Sequence, residues 1–133
     1  MPKKRTTKRR KRSGPNTLEK RVASLAPKDF PIYFTGNRKV WVELTTLGKR
    51  KNPDFIVPQA GTKRSIVGFT KVVEVFGDWW HSERFTGQDP KTHERELVAA
   101  YAAEGIKCLV LWESDIKKRP RAVRERLRRF LKS

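Results

Sequence analysis

Apolar residues recur along this chain at two different spacings. Leu18, Val22 and Leu25 lie about one helical turn apart. Asn16 or Thr17 can cap a helix before them, and Pro27 cannot continue one after them. The spacing predicts a helix running to about Ala26. Leu97, Ala100 and Tyr101 repeat it within a helix expected from about Pro90 to Glu104, which Gly105 is placed to stop. Val123, Leu127, Phe130 and Leu131 form a third stripe on a helix opened by Pro120 and expected over about 120–132, with arginines elsewhere on its surface. Shorter apolar runs predict strands at Tyr33-Phe34, Val40-Trp41-Val42, Asp54-Phe55-Ile56-Val57, Lys71 to Phe76 and Lys107 to Trp112. Gly36-Asn37 reads as a hairpin turn between the first two runs, and Gly61-Thr62-Lys63-Arg64 as a turn before Lys71. Residues 77–91 follow neither period. The order is helix, several strands, helix, strand, helix, with no internal repeat. It predicts an α/β (α+β) fold, a mixed β-sheet flanked by helices.

Charge adds a second division. The chain has 133 residues, which suits one domain, and a formal net charge of +18. Residues 1–12 carry eight cations (Lys3, Lys4, Arg5, Lys8, Arg9, Arg10, Lys11 and Arg12) and no acid. Residues 117–133 carry nine cations against Glu125 alone, so about +2 remains for residues 13–116. Residues 1–15, ending in Ser13-Gly14-Pro15, read as a disordered basic arm, and 16–133 as the folded domain with a basic C-terminal helix. Two cationic ends on a nearly neutral core call for a polyanion, and double-stranded DNA fits, because each phosphate neutralised releases a counterion. A solubility tail or localisation signal is the plainer alternative for the arm. An anionic membrane surface would need an amphipathic helix with a broad apolar face, which residues 1–12 lack. No apolar run approaches the roughly 18 residues of a membrane span, and none follows the basic start as in a secretory signal. The expected setting is intracellular. One cysteine, Cys108, permits neither an internal disulfide nor a cysteine-rich structural zinc site, and its apolar neighbours suit a core residue.

Two places invite chemistry. Asp54 opens a short apolar strand, and Glu74 lies inside Val72-Val73-Glu74-Val75-Phe76. A carboxylate in a buried strand is costly unless paired or bound to a cation. On adjacent strands the two acids could hold a divalent metal through hard oxygen ligands. Alternatively Glu74 pairs with a core arginine, or faces solvent on an edge strand. The second place is Gly77-Asp78-Trp79-Trp80-His81. Adjacent tryptophans on an extended backbone point in opposite directions. At least one could then wedge between base pairs, unless both pack beneath the loop. His81 follows directly, where a base could reach a metal-held water.

These segments, together with Leu18-Glu19-Lys20-Arg21-Val22-Ala23-Ser24-Leu25 and Gly105-Ile106-Lys107-Cys108-Leu109-Val110-Leu111-Trp112-Glu113, resemble the very short patch repair endonucleases. That family shows an Asp-Phe strand, a Gly-x-aromatic-Trp-His segment and a Gly-Trp-x-Val-Leu-x-Val-Trp-Glu strand. The resemblance covers about residues 17–116 in the same order. It implies a restriction-endonuclease-like fold and magnesium-dependent hydrolysis of a DNA phosphodiester. It also implies roles: Asp54 as metal ligand, His81 as activator of the attacking water, Trp79 and Trp80 as the wedge, and Glu19 as the helical acid near the site. The last active-site acid falls near Glu94, with Asp89 and His93 as rivals. Basic residues of the arm (Lys3, Lys4, Arg5, Lys8, Arg9, Arg10) and of the last helix (Arg121, Arg124, Arg128) are expected against DNA.

This chain departs from the repair members in two ways. It cannot build their structural zinc site. Glu74 stands where they usually lack an acid, resembling the acid of the broader Asp…(Asp/Glu)-x-Lys nucleases, yet Phe76 follows where that pattern has lysine. The mixture is closer to the homing endonucleases related to the family. The expectation is a magnesium-dependent homing or nicking endonuclease. A mismatch-directed repair nuclease and a non-catalytic basic DNA-binding protein are the alternatives.

Overall fold

The computed structural model describes residues 14–58, 68–78 and 83–133, the side chains of Glu83 and Phe85 excepted. The elements run α1 (Thr17–Leu25), β1 (Tyr33–Phe34), β2 (Val42–Leu44), a 3-10 turn (Thr45–Leu47), β3 (Lys49–Lys51), β4 (Phe55–Val57), β5 (Lys71–Phe76), α2 (Glu83–Thr86), α3 (Pro90–Ala103), β6 (Lys107–Trp112), α4 (Glu113–Lys118) and α5 (Pro120–Lys132). A mixed four-stranded sheet has the order β1-β4-β5-β6, with β5 and β6 parallel and the other neighbours antiparallel. β2 and β3 form a separate antiparallel ribbon.

Side-chain alternation along β5 divides the core into two layers. Val72 and Phe76 join Val110, Ile56, the α3 residues Leu97, Ala100 and Tyr101, and the ribbon residues Val42 and Leu44. Val73 faces the other way, toward Val22 and Leu25 of α1, Ile116 of α4, and Val123, Leu127 and Leu131 of α5. Helices therefore cover both faces, as expected of an α+β chain whose central strands are apolar on both sides. Full burial of each aliphatic side chain of the α5 stripe stabilises by about 1.5–3 kcal/mol. Among the described residues no helix is long and apolar enough to cross a membrane.

The helical stripes and the two long strands lie where their periodicity predicted. α1 begins at a capping box: Asn16 Oδ1 accepts the Glu19 N–H at 2.7 Å, and Glu19 Oε1 accepts the Asn16 N–H at 2.9 Å. Asp89 caps α3 through the Thr92 N–H, and Gly105, at φ 78°, follows its end. One expectation fails. Gly36-Asn37 does not join a hairpin, because β1 pairs with β4, and β2 pairs with β3. The Thr35 and Gly36 N–H groups both donate to the Asp54 carbonyl, at 2.8 and 3.1 Å, so this turn braces the start of β4. The ribbon strand β3, the short helix α2 and the six-residue helix α4 had no periodic signal to announce them. The basic arm up to Ser13 and the turn at Gly61-Thr62-Lys63-Arg64 lie outside the described residues.

Candidate functional site

The antiparallel register of β4 and β5 pairs Phe55 with Val73, which sets Asp54 opposite Glu74. Alternation along the two strands places both residues on the α3 side of the sheet, where the charge of Glu74 acts on Asp54. Glu74 is 1% exposed, and β5 is an interior strand. This rules out the solvent-facing edge position. Nor is its partner an arginine. Lys51 reaches from β3 to place Nζ 3.2 Å from Glu74 Oε1, and the Tyr101 hydroxyl donates to Oε2 at 2.6 Å. An ion buried this deeply costs several kcal/mol unless such partners offset it.

Asp54 is only partly buried, and its Oδ2 accepts the Val75 N–H at 2.7 Å. Burial, then the neighbouring charge of Glu74, pushes its pKa up to about 7, against the opposing pull of Lys51 and the Val75 amide. Asp54 therefore holds its proton to a higher pH than an ordinary carboxyl does. The Lys51 ammonium is desolvated, which alone would lower its pKa, but the charges of Glu74 and Asp54 outweigh that and raise it. Burial and then Glu74 also raise the Tyr101 hydroxyl and the Cys108 thiol. Both shifts favour the neutral forms, and for Cys108 that disfavours a nucleophilic thiolate.

Comparisons of the chain with protein-family models, curated proteins and solved structures found no match.

Of the residues singled out from sequence, Asp54 and Glu74 come together. Glu94 lies on the same face but over β6, where it accepts the Trp112 indole N–H at 2.6 Å. Its charge reaches the same Cys108 thiol as those of Glu74 and Asp54. His93 stacks on Phe76 with ring centroids 5.4 Å apart, and its Nδ1 lies 3.3 Å from Gln88 Oε1. Burial, then Lys49, lowers its pKa, with Lys51 adding to the effect and Glu96 opposing it. Asp89 is occupied as a helix cap. Glu19 is buried in its capping box, and α1 lies against the opposite face of the sheet from the Asp54–Glu74 pair. Trp79, Trp80, His81 and the basic arm lie outside the described residues. The chain enters 79–82 from Asp78, whose N–H donates to Glu113 Oε1 at 3.1 Å. On α5, Arg121 and Arg124 are exposed, whereas Arg128 is paired with Glu125 at 2.9 Å.

Lys51 is the functional candidate that sequence reading missed. Its only local signal was a place three residues before Asp54, in Lys51-Asn52-Pro53-Asp54, on a strand too polar to be recognised. It reaches Glu74 from β3 of the separate ribbon, where Phe76 leaves the expected position without a lysine. Among the described residues no group of three or more His, Cys, Asp or Glu gathers in metal-holding geometry. The pair itself suits a hard cation. It offers carboxylate oxygens on adjacent strands, one reaching solvent, with a proton there that a cation can displace near pH 7.

Proposed function

We propose that this protein is a magnesium-dependent endonuclease of duplex DNA, of the homing or nicking kind. The observation that carries the reading is the in-register Asp54–Glu74 pair with Lys51 locked on Glu74. Asp54 and Glu74 would hold the magnesium ion, which supplies Lewis acidity at a phosphate oxygen and favours hydroxide at neutral pH. Lys51 and Tyr101 fix the two Glu74 oxygens, so the deeper carboxylate keeps one orientation. Asp54, nearer solvent, meets the substrate side. The resemblance assigns removal of the proton from the attacking water to His81, and opening of the base stack to Trp79 and Trp80. The exposed cations of α5 and the charge of the arm supply phosphate contacts.

A second reading has one observation behind it. Both Glu74 oxygens already have protein partners, so the cluster could simply clamp β3 to β5 in a non-catalytic DNA-binding protein. Incubating the full chain with plasmid and linear duplex, with magnesium and with EDTA, separates the two. Magnesium-dependent nicks or breaks are expected. Binding without any cleavage would leave the non-catalytic reading. Equal cleavage of matched duplexes and of thymine–guanine mismatches is expected of the homing type, and a mismatch requirement would point to repair.

A further inference from the structure

Trp41 is the one large hydrophobic side chain that is exposed among the described residues, at 45%. An isolated exposed apolar residue needs no explanation, but this one is held in place. Its indole N–H donates to the Arg38 carbonyl at 3.0 Å, and the Arg50 guanidinium lies over its ring at 5.0 Å. Arg38 is also the only described non-glycine residue with positive φ, at 72°. That is an uncommon backbone for a side chain of this size. Asn52 maintains it: its Oδ1 accepts the Arg38 N–H at 3.2 Å, and its Nδ2 donates to the Thr35 and Val40 carbonyls, both at 2.7 Å. Local strain is thus maintained beside an aromatic ring that stays in solvent.

The surroundings are cationic. Arg38, Lys39, Lys49 and Arg50 are all exposed. Glu43 is the only acid on the two ribbon strands, and it stands opposite Arg50 in their register. Alternation along β3 sends Arg50 outward to Trp41 and Lys51 inward to Glu74. Consecutive residues of one short strand therefore join this outer face to the carboxylate pair. From Arg50 to Asp54 is four residues, so their Cα atoms are at most about 14 Å apart. That span covers about four base-pair steps of 3.4 Å.

We propose that the outer face of the β2–β3 ribbon, centred on Trp41 and Arg50, is a contact surface for duplex DNA within about four base pairs of the reacting phosphate. A two-stranded ribbon fits the major groove. A pre-positioned aromatic ring can pack on a base or sugar without a further ordering cost, while Arg38, Lys39 and Arg50 take phosphates. The proposal rests on the reading that this chain acts on DNA. The contact itself does not depend on which residues cleave the DNA, whereas its distance from the reacting phosphate rests on Asp54 standing at the site of cleavage.

The test is the affinity of the full chain for a labelled duplex in EDTA, where no magnesium-dependent cleavage occurs, across a range of salt. Trp41→Ala is expected to weaken binding at least about fivefold, the lower end for a lost aromatic stack, with an unchanged melting temperature. Arg50→Ala is expected to lower the log–log salt slope by about 0.9, one phosphate contact. Hydroxyl-radical oxidation of Trp41 in the unaltered chain gives a readout without any variant, and added duplex is expected to protect the ring. If the unaltered chain binds duplex while both variants match it in affinity and slope and Trp41 oxidises equally with and without DNA, the ribbon is not a contact. Tighter binding of duplex RNA than of duplex DNA, lost in both variants, would assign the surface to RNA and overturn the proposal. If the unaltered chain binds no duplex at all, the proposed function itself fails, and this inference fails with it.

Discussion

Lys51 and Glu74 form an ion pair at 3.2 Å between two strands that are not neighbours in the sheet, with the carboxylate 1% exposed and the lysine side chain 28% exposed. The pair connects three layers. β3 supplies the cation, β5 supplies the anion, and α3 adds the Tyr101 hydroxyl. Asp54 completes the cluster and is the member that titrates near neutrality.

Replacing Lys51 with Met leaves Glu74 buried beside Asp54 without its counter-charge. Breaking one side of a buried pair typically costs about 3–5 kcal/mol, and the partial exposure of Lys51 puts this case near the lower figure. Denaturant unfolding of Lys51→Met, Glu74→Gln and the double variant measures it. The double variant is expected to be more stable than Lys51→Met alone, because the orphaned charge is gone. Strictly additive losses would show that the two groups do not interact.

Asp54→Asn is expected to abolish magnesium-dependent cleavage and to leave duplex affinity intact or slightly higher, because one negative charge facing a phosphate is removed. Gel assays of cleavage beside anisotropy titrations distinguish the effects. Cleavage at the original rate would remove Asp54 from the site.

The raised pKa of Asp54 has a signed consequence for stability without metal. Below its unfolded value of 3.8, both the folded and unfolded carboxyls are protonated, and the contribution is fully present. As pH climbs toward about 7 the unfolded chain gives up this proton before the folded one, so stability is lost across that window and levels off above it. The difference in unfolding free energy, Asp54→Asn minus the unaltered chain, should therefore grow from pH 4 to 7 and then flatten. Magnesium should recover part of the loss above pH 7 in the unaltered chain only. A difference that stays constant over that range would show that Asp54 is not perturbed.

At least one of the adjacent tryptophans, Trp79 and Trp80, is expected to act as a wedge. A wedge residue changed to Ala should keep its folding stability within about 0.5 kcal/mol and lose roughly 5- to 150-fold in duplex affinity. A core residue should instead lose about 3–5 kcal/mol of stability. Unfolding and binding measured on each single variant identify which is which. Two strongly destabilised variants with normal affinity in the folded fraction would remove the wedge from the mechanism.

Sequence alone determined the elements whose signal is local. Leu18, Val22 and Leu25 repeat at helical spacing, as do Leu97, Ala100 and Tyr101, and Val123, Leu127 and Leu131. Lys71–Phe76 and Lys107–Trp112 are apolar enough to be buried on both faces. Capping and stop residues such as Asn16, Pro120 and Gly105 act within a turn of where they stand, so their effect can be read without knowing the fold. Asp54 and Glu74 stood out because charge in an apolar strand is costly wherever that strand lies. Only the tertiary structure decided what meets what. β1 turns to β4 instead of β2 because Thr35 and Gly36 find the Asp54 carbonyl, a partner eighteen or more residues away. β3, reading Lys-Arg-Lys, shows no apolar alternation. Its place comes from pairing with Val42–Leu44 and from the attraction of Lys51 to a carboxylate 23 residues further on. Strand register and ion pairing between distant segments depend on which surfaces the whole chain buries together, and no local window of sequence contains that information.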